Sequence, residues 1–303
     1  MTTNTRQALP GTRIADQQRH QMRLERIYRT EGLVLRRQDF GEADRVITLY
    51  SPTHGKLRAI AKGVRRPKSR IGGHVELFTH VNVLVAQGRN LDIITQAETL
   101  RPFGHIRVDL WGAAYACYCA ELVDRLTEER LENRAIFDLL LQELTYLDEV
   151  SQERPAAGPE SPASVTPVEL SLRTFELRLT GLLGYAPELF RCVQCGEALR
   201  PADNRFSPSG GGTVCHGCSV THPGALPLSV NAIKAMRLMS QGTFGVFQRL
   251  RLPAQPGREL DAALRAHVNY ILERQLRTAE FLDRLRAESK RERVPAAVLA
   301  TPA

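Results

Sequence analysis

The run EGLVLRRQDFGEADRVITLYSPTHGKLRAIAK, residues 31–62, decides the architecture of the N-terminal third of the chain. It holds three short segments rich in β-branched and apolar residues, Gly32–Arg37, Arg45–Ser51 and Lys56–Lys62. Turn formers at Phe40-Gly41 and Pro52-Thr53-His54-Gly55 separate them, so the stretch reads as consecutive β-strands. Two more follow, Leu77–Gln87 and, after the turn Gly88-Arg89-Asn90, Leu91–Thr95. Five short strands within about 70 residues match the size and count of an OB-type barrel. The expected fold class is therefore α+β, with a five-stranded OB-type β-barrel over 24–100 followed by an α-helical domain.

After Arg101-Pro102 the periodicity changes. Ala113, Ala116, Ala120, Val123 and Leu126 recur at three- and four-residue spacing, as do Ile136, Leu139, Leu140, Leu144 and Leu147. This predicts a helical domain over 101–287. Residues 151–167, SQERPAAGPESPASVTP, carry four prolines and few bulky apolar groups and read as a flexible loop. Helical spacing resumes at Leu170, Leu172, Phe175, Leu179 and Leu182, and two further helices are expected over Ser229–Gln241 and Arg258–Arg286. Residues 1–23 lack apolar periodicity and read as a disordered lead; 288–303 read as a disordered tail.

A chain of 303 residues fits two compact domains. Lysine and arginine total 41 against 33 aspartates and glutamates, a net charge of +8 that favours polyanionic partners. No run approaches the ~20 apolar residues of a membrane span, and the first residues show no signal-peptide core, so a cytoplasmic location without membrane partners is expected. In that compartment thiols stay reduced, and the six cysteines point to metal binding or burial rather than disulfides. Cys192-Val-Gln-Cys195 and Cys215-His-Gly-Cys218, separated by 19 residues, have the spacing of a zinc site over the insert 192–218. Gly196 and Gly217 offer the backbone freedom that thiolate knuckles need. Four thiolates close the coordination sphere of Zn²⁺, so the expected cofactor is structural. Cys117 and Cys119, two apart on a helix, read as small core residues.

Positive charge is concentrated between Leu33 and Val75. Ten basic residues, Arg36, Arg37, Arg45, Lys56, Arg58, Lys62, Arg65, Arg66, Lys68 and Arg70, stand against Asp39, Glu42 and Asp44. The two-residue strand period puts Lys56, Arg58 and Lys62 on one face, interrupted by Ile60, and the loop Gly63–Arg70 extends that stripe with no acid. A groove tracking phosphates needs this arrangement, so Arg36, Arg37, Lys56, Arg58, Lys62, Arg65, Arg66, Lys68 and Arg70 are candidate DNA contacts. Phe40, Tyr50 and Phe78 are candidate stacking rings or barrel core. The chain has no phosphate loop, no His-Glu-x-x-His, no Gly-x-Ser-x-Gly and no dinucleotide fingerprint, and the expectation is a protein that is not an enzyme. Asp39, Glu42 and Asp44 leave open a metal-dependent nuclease, although Arg45 beside them suggests ion pairing. A zinc-stapled protein-interaction or transcription module is the other alternative.

Three segments, Gly32–Leu35, Phe40-Gly-Glu-Ala-Asp-Arg-Val-Ile-Thr48 and Gly55–Arg70, together resemble the bacterial recombination mediator family RecO. The likeness continues through Ala120–Asp124, Phe175–Leu179, Gly184–Leu189 and Gly210–Cys215, covering roughly Gly32 to Arg286. The resemblance implies a DNA-repair and recombination mediator that binds single- and double-stranded DNA and anneals complementary strands. It also implies RecR and the single-strand DNA-binding protein as partners in loading RecA, at the nucleoid. By the same match Arg65, Arg66, Lys68 and Arg70 would contact DNA, the four cysteines would hold metal, and the acidic tail of the single-strand DNA-binding protein would meet helix surfaces around Arg258, Arg265, Arg274 and Arg277.

Overall fold

A computed structural model describes residues 26–153, 164–202 and 204–293. The expected lead at 1–23, the middle of the Pro-rich loop and residues 294–303 of the expected tail lie outside the described residues. Five strands, β1 (Ile27–Phe40), β2 (Asp44–Ser51), β3 (Gly55–Ala61), β4 (His80–Ala86) and β5 (Asp92–Arg101), close into a barrel in the order β1-β2-β3-β5-β4. Closure depends on the length of β1. Its first half, Ile27–Leu33, pairs antiparallel with β4, and its second half, Leu33–Phe40, pairs with β2 after a register shift between Val34 and Arg36. A parallel pairing of β3 with β5 seals the other side.

Two strands are longer than their apolar runs suggest. Ile27–Glu31 and Gln96–Arg101 carry many polar residues, yet their backbones pair with β4 along its whole length. One strand is shorter: Leu77–Thr79 turn onto β1, with Phe78 buried at φ 67°, and regular pairing of β4 begins at His80.

The barrel wall is buried on both faces along β1 and β2. Val34, Ile47, Leu49, Leu57, Val81, Val83, Val85 and Ile94 fill the interior. Leu33, Leu35 and Tyr50 point outward into a second core with Phe103, Trp111, Tyr115, Phe137 and Leu140. That core comes from helices α1 (Gly104–Val108), α2 (Leu110–Leu126), α3 (Arg134–Glu153) and α4 (Pro167–Leu182), with the ends of α6 (Ala254–Leu272) and α7 (Arg277–Arg293), while α5 (Val230–Gln241) packs into a separate core. Local sequence sets the helix starts. Asp109 accepts from the Gly112 N–H at 2.8 Å, and Thr166-Pro-Val-Glu169 forms a reciprocal capping box with proline in the first turn. The expected tail boundary moves, because helix α7 continues to Arg293. The cysteine insert adds a small sheet, β6 (Asn204–Ser207), β7 (Gly212–Val214) and β8 (Leu226–Leu228), in the order β7-β6-β8.

Helix α4 is the axle of the helical domain. One side, Leu172, Phe175 and Leu179, packs toward α2 and α3, and another, Leu170 and Leu177, packs toward α5 and α6. Burial all round forces its polar residues to find partners within the protein. Arg173 bonds Glu176 and Asp261, each at 3.0 Å, and the Tyr118 hydroxyl donates to Glu176. Glu143 on α3 accepts from Ser171 at 2.9 Å, while its second oxygen is buried without a partner. Burial first, and then the nearby Glu176 carboxylate, push Glu143 up to about 8 against the Ser171 hydrogen bond.

The barrel and the helices are joined at Lys56. Its ammonium donates to the Asp124 and Thr127 carbonyls at 2.5 and 2.7 Å and lies 3.6 Å from the Asp124 carboxylate, at the carbonyl end of α2. Next to it the β2–β3 turn presses on the chain that follows α2. Gly55 has φ 62°, and a Cβ there would stand 2.0 Å from the Leu131 carbonyl oxygen.

Two outcomes are expected. Lys56→Met, which strands the two carbonyls and leaves Asp124 only the more distant Arg36, should lower unfolding free energy by about 3 kcal/mol, read from urea midpoints at constant slope. For Glu143 the folded pKa lies above the unfolded one. Its stabilising protonation is complete below about pH 4.5 and is lost as pH rises through about 8. Relative to Glu143→Gln, wild type should therefore lose about 1.4 kcal/mol per pH unit across that window and little beyond it, as measured by thermal melts at several pH values.

Candidate nucleic-acid interface and metal centre

The basic residues are sorted by what the fold places opposite them. Arg37 pairs with Glu76, and Arg45 bonds Asp39 at 2.8 Å and lies 3.9 Å from Glu76. Arg36 lies 3.9 Å from Asp124, and Arg58 is 3.5 Å from Glu129 just beyond α2. Lys56 corrects the expectation of a free cationic strand face. The alternation along β3 holds, but the face at Lys56 is roofed by the helical domain, and the residue is only 9% exposed.

What stands clear is the loop after β3. Lys62, Arg66, Lys68 and Arg70 are exposed and, among the described residues, form no ion pair. Arg65 is 3.5 Å from Asp39. The loop is held to the β1–β2 hairpin by its backbone: Arg65 N–H donates to Ala43 at 2.9 Å, and Gly63 N–H donates to the Asp44 carboxylate at 2.7 Å. Gly63 enters the loop at φ 63°.

These contacts also account for the acids. Arg45 hydrogen bonding holds the Asp39 carboxyl below its usual range, with Arg65 and Arg37 adding to it. Asp44 caps the loop. Among the described residues, the ligand atoms of Asp39, Glu42 and Asp44 do not come together closely enough to hold a metal ion between them. The stacking candidates separate as cleanly. Tyr50 and Phe78 are core residues, whereas Phe40 at the hairpin tip is 53% exposed.

The four cysteines do converge. The sulfurs of Cys192, Cys195, Cys215 and Cys218 lie within 4.8 Å of one another, with Cys195 and Cys215 at 4.0 Å. The first pair turns on Gly196 at φ 74°, with its N–H bonded back to the Cys192 carbonyl. The second pair differs from expectation. Gly217 lies in a 3₁₀ turn, His216–Thr221, without positive φ, and the Cys218 N–H donates to the Cys215 carbonyl. Burial opposes ionisation of Cys192, but backbone N–H groups of Cys195, Cys215 and Gln194 outweigh it and bring the thiol down to about 6. Hydrogen bonding with Cys215, then burial, pushes Cys218 up to about 12. One thiolate forms readily, and four together require a cation between them. Cys119 is fully buried and Cys117 partly so, and neither belongs to the cluster.

On the helical domain Arg265 is held by Asp261 and Asp283, while Arg258, Arg274 and Arg277 are exposed. No helix among the described residues is long and apolar enough to cross a membrane.

Comparison with known proteins identifies relatives over most of the chain. The family model described as recombination protein O N terminal matches residues 22–103, and the corresponding C-terminal model matches 107–158 and 162–280. The chain is 42% identical over 262 residues to the DNA repair protein RecO of Roseiflexus sp. (strain RS-1), covering 86% of this chain and 87% of that one. It is 38% identical over 263 residues to the protein of that name from Symbiobacterium thermophilum, covering 86% and 98%. The Dehalococcoides mccartyi (strain CBDB1) protein of that name is 35% identical over 259 residues, covering 86% and 96%.

Protein purified without chelators should carry one metal ion per chain by elemental analysis, and Cys192→Ser or Cys215→Ser should release it. Because metal binding and local folding are one equilibrium, protease sensitivity between residues 190 and 220 should rise in those variants. A metal-free wild type would remove the assignment.

Proposed function

The chain belongs to the recombination protein O family of DNA-repair proteins, and from that premise we propose that it binds single- and double-stranded DNA through the loop Lys62–Arg70 and anneals complementary strands. The observation that carries this reading is the exposed set Lys62, Arg66, Lys68 and Arg70, without ion pairs among the described residues while their neighbours are neutralised. Arg65, held to Asp39 but partly exposed, borders the set. Arg36, Arg37 and Arg58 contribute field rather than direct contact, since each already faces a carboxylate.

Its work is electrostatic. Cations on a rigid loop lower the repulsion between two phosphate backbones, and the bases supply specificity by pairing with each other. No bond is made or broken by the protein, and the role is that of a mediator rather than an enzyme. The four-cysteine module fits Zn²⁺, because thiolates at ~2.3 Å around a tetrahedral ion have sulfur–sulfur edges of about 3.8 Å. Such an ion would staple the β6–β8 sheet, leaving no open position for chemistry. Family membership supports RecR and the single-strand DNA-binding protein as partners in loading RecA, in the cytoplasm at the nucleoid. Exposed Arg258, Arg274 and Arg277 suit an acidic tail.

If four phosphates are neutralised, log affinity for single strands should fall against log salt with a slope near about −2.8. Arg66→Ala, Lys68→Ala and Arg70→Ala combined should flatten that slope by about 2 and weaken all sequences alike. Thermal stability should hold, because these side chains touch no core. Filter binding at several salt concentrations reads the slope, and strand annealing without Mg²⁺ should fall in step. A triple variant that keeps the wild-type slope would move the DNA site elsewhere.

A further inference from the structure

Phe40 is an apolar ring, 53% exposed, at the tip of the hairpin to which the cationic loop is hydrogen-bonded. It pairs with Asp44 at the end of the β1–β2 hairpin, and the turn continues through Gly41 at φ 58°. Hydrogen bonds from Arg65 N–H to Ala43 and from Gly63 N–H to Asp44 lock that tip to the cationic loop. The Arg65 guanidinium adds contacts to the Gly41 carbonyl and to Asp39. The hairpin and the loop therefore act as one body, with an exposed ring at one edge and four unpaired cations beside it.

Water should drive such a ring into a core, as happens to Tyr50 and Phe78. The strand ladder and the contacts that tie the tip to the loop are made by backbone and by Asp39 and Asp44, not by the ring. We propose that Phe40 is the base-stacking platform that makes this site prefer single strands over duplex, an inference that rests on DNA binding by the loop Lys62–Arg70. The phosphates are common to both forms of DNA, but a base face is free only in a single strand; in a duplex each base already stacks on its neighbours. The loop thus supplies affinity for either form, and the ring adds to it only for unpaired bases. As annealing proceeds, a base leaving Phe40 for its complement gives up that contact, and the product duplex is held more weakly than the strands that made it.

The test uses the full chain and three probes of equal length: oligothymidylate, an abasic deoxyribose-phosphate oligomer that keeps the phosphates, and a blunt duplex. Phe40→Ala should lose roughly tenfold affinity for oligothymidylate and leave the abasic oligomer and the duplex unchanged. Phe40→Trp should keep wild-type affinity and show fluorescence quenching on oligothymidylate but not on the abasic oligomer. The native single tryptophan, Trp111, is buried and serves as a constant background. The proposal is overturned if Phe40→Ala binds oligothymidylate as wild type does, if it weakens all three probes equally, or if the Phe40→Trp signal ignores the bases. Wild type that binds the abasic oligomer and duplex but gains nothing from bases overturns only the stacking role. Wild type that binds none of the three overturns the DNA reading as well.

Discussion

The ammonium of Lys56 set against the carbonyls that end α2 is the contact on which the arrangement of this molecule turns. A helix C-terminus leaves carbonyls without intrahelical partners and a partial negative charge, and here a barrel strand supplies the cation that answers both. This fixes β3 against α2, which in turn brings Asp124 to Arg36 and Glu129 to Arg58. The same docking therefore neutralises one side of the barrel and leaves the loop beyond β3 as its cationic edge. Leu33, Leu35 and Tyr50 on the outer wall reinforce the junction, so barrel and helices share a continuous apolar core rather than a linker.

Much of this order is legible in the residues. Turn chemistry at Gly41, Gly55 and Gly88, with apolar runs between, announces five strands, and they close in the expected barrel. Helix spacing from Ala113 onward is equally direct. Strand ends are less so: Ile27–Glu31 and Gln96–Arg101 are polar segments whose strand character comes from pairing with β4, a tertiary fact without a local pattern. The β6–β8 sheet is hidden for a related reason. Its strands are three or four residues long, too short for periodicity, and they are organised by the cysteine knuckles and by Phe206 and Leu228 packing under α5 and α6.

For the candidate site, residue type and spacing were informative about the metal centre and only half informative about charge. A Cys-x-x-Cys pair confines two sulfurs by local geometry, so two such pairs need only one fold-level coincidence to meet. A basic residue carries no such constraint. Whether it is free depends on which acid lies across from it, and Glu76, Asp124 and Glu129 are 31 to 88 residues distant from the cations they hold. Period-two alternation correctly placed Lys56 and Arg58 on one face of β3, yet it says nothing about what covers that face. The exposure of Phe40 and the burial of Tyr50 and Phe78 are distinctions of the same kind.

A small number of free cations is consistent with what a strand-annealing protein must do. Each neutralised phosphate adds to affinity and also to the barrier against release, and a protein coating a long track would hold strands too firmly to let them pair. Here the ion pairs of Arg36, Arg37, Arg45 and Arg58 remove most of the barrel's positive charge from direct contact and confine the remainder to one edge. That edge is rigid, because Asp44 and Ala43 anchor the loop backbone, so its cations need little ordering when a phosphate arrives. In the proposed role, contact at few points, with little entropy lost, would make binding quick to form and quick to break. The four-cysteine module lies in the helical domain, where its sheet packs under α5 and α6 through Phe206 and Leu228. Its folding is thus separable from the cationic edge, and loss of metal should be felt first in the surfaces of the helical domain, where partner proteins would dock.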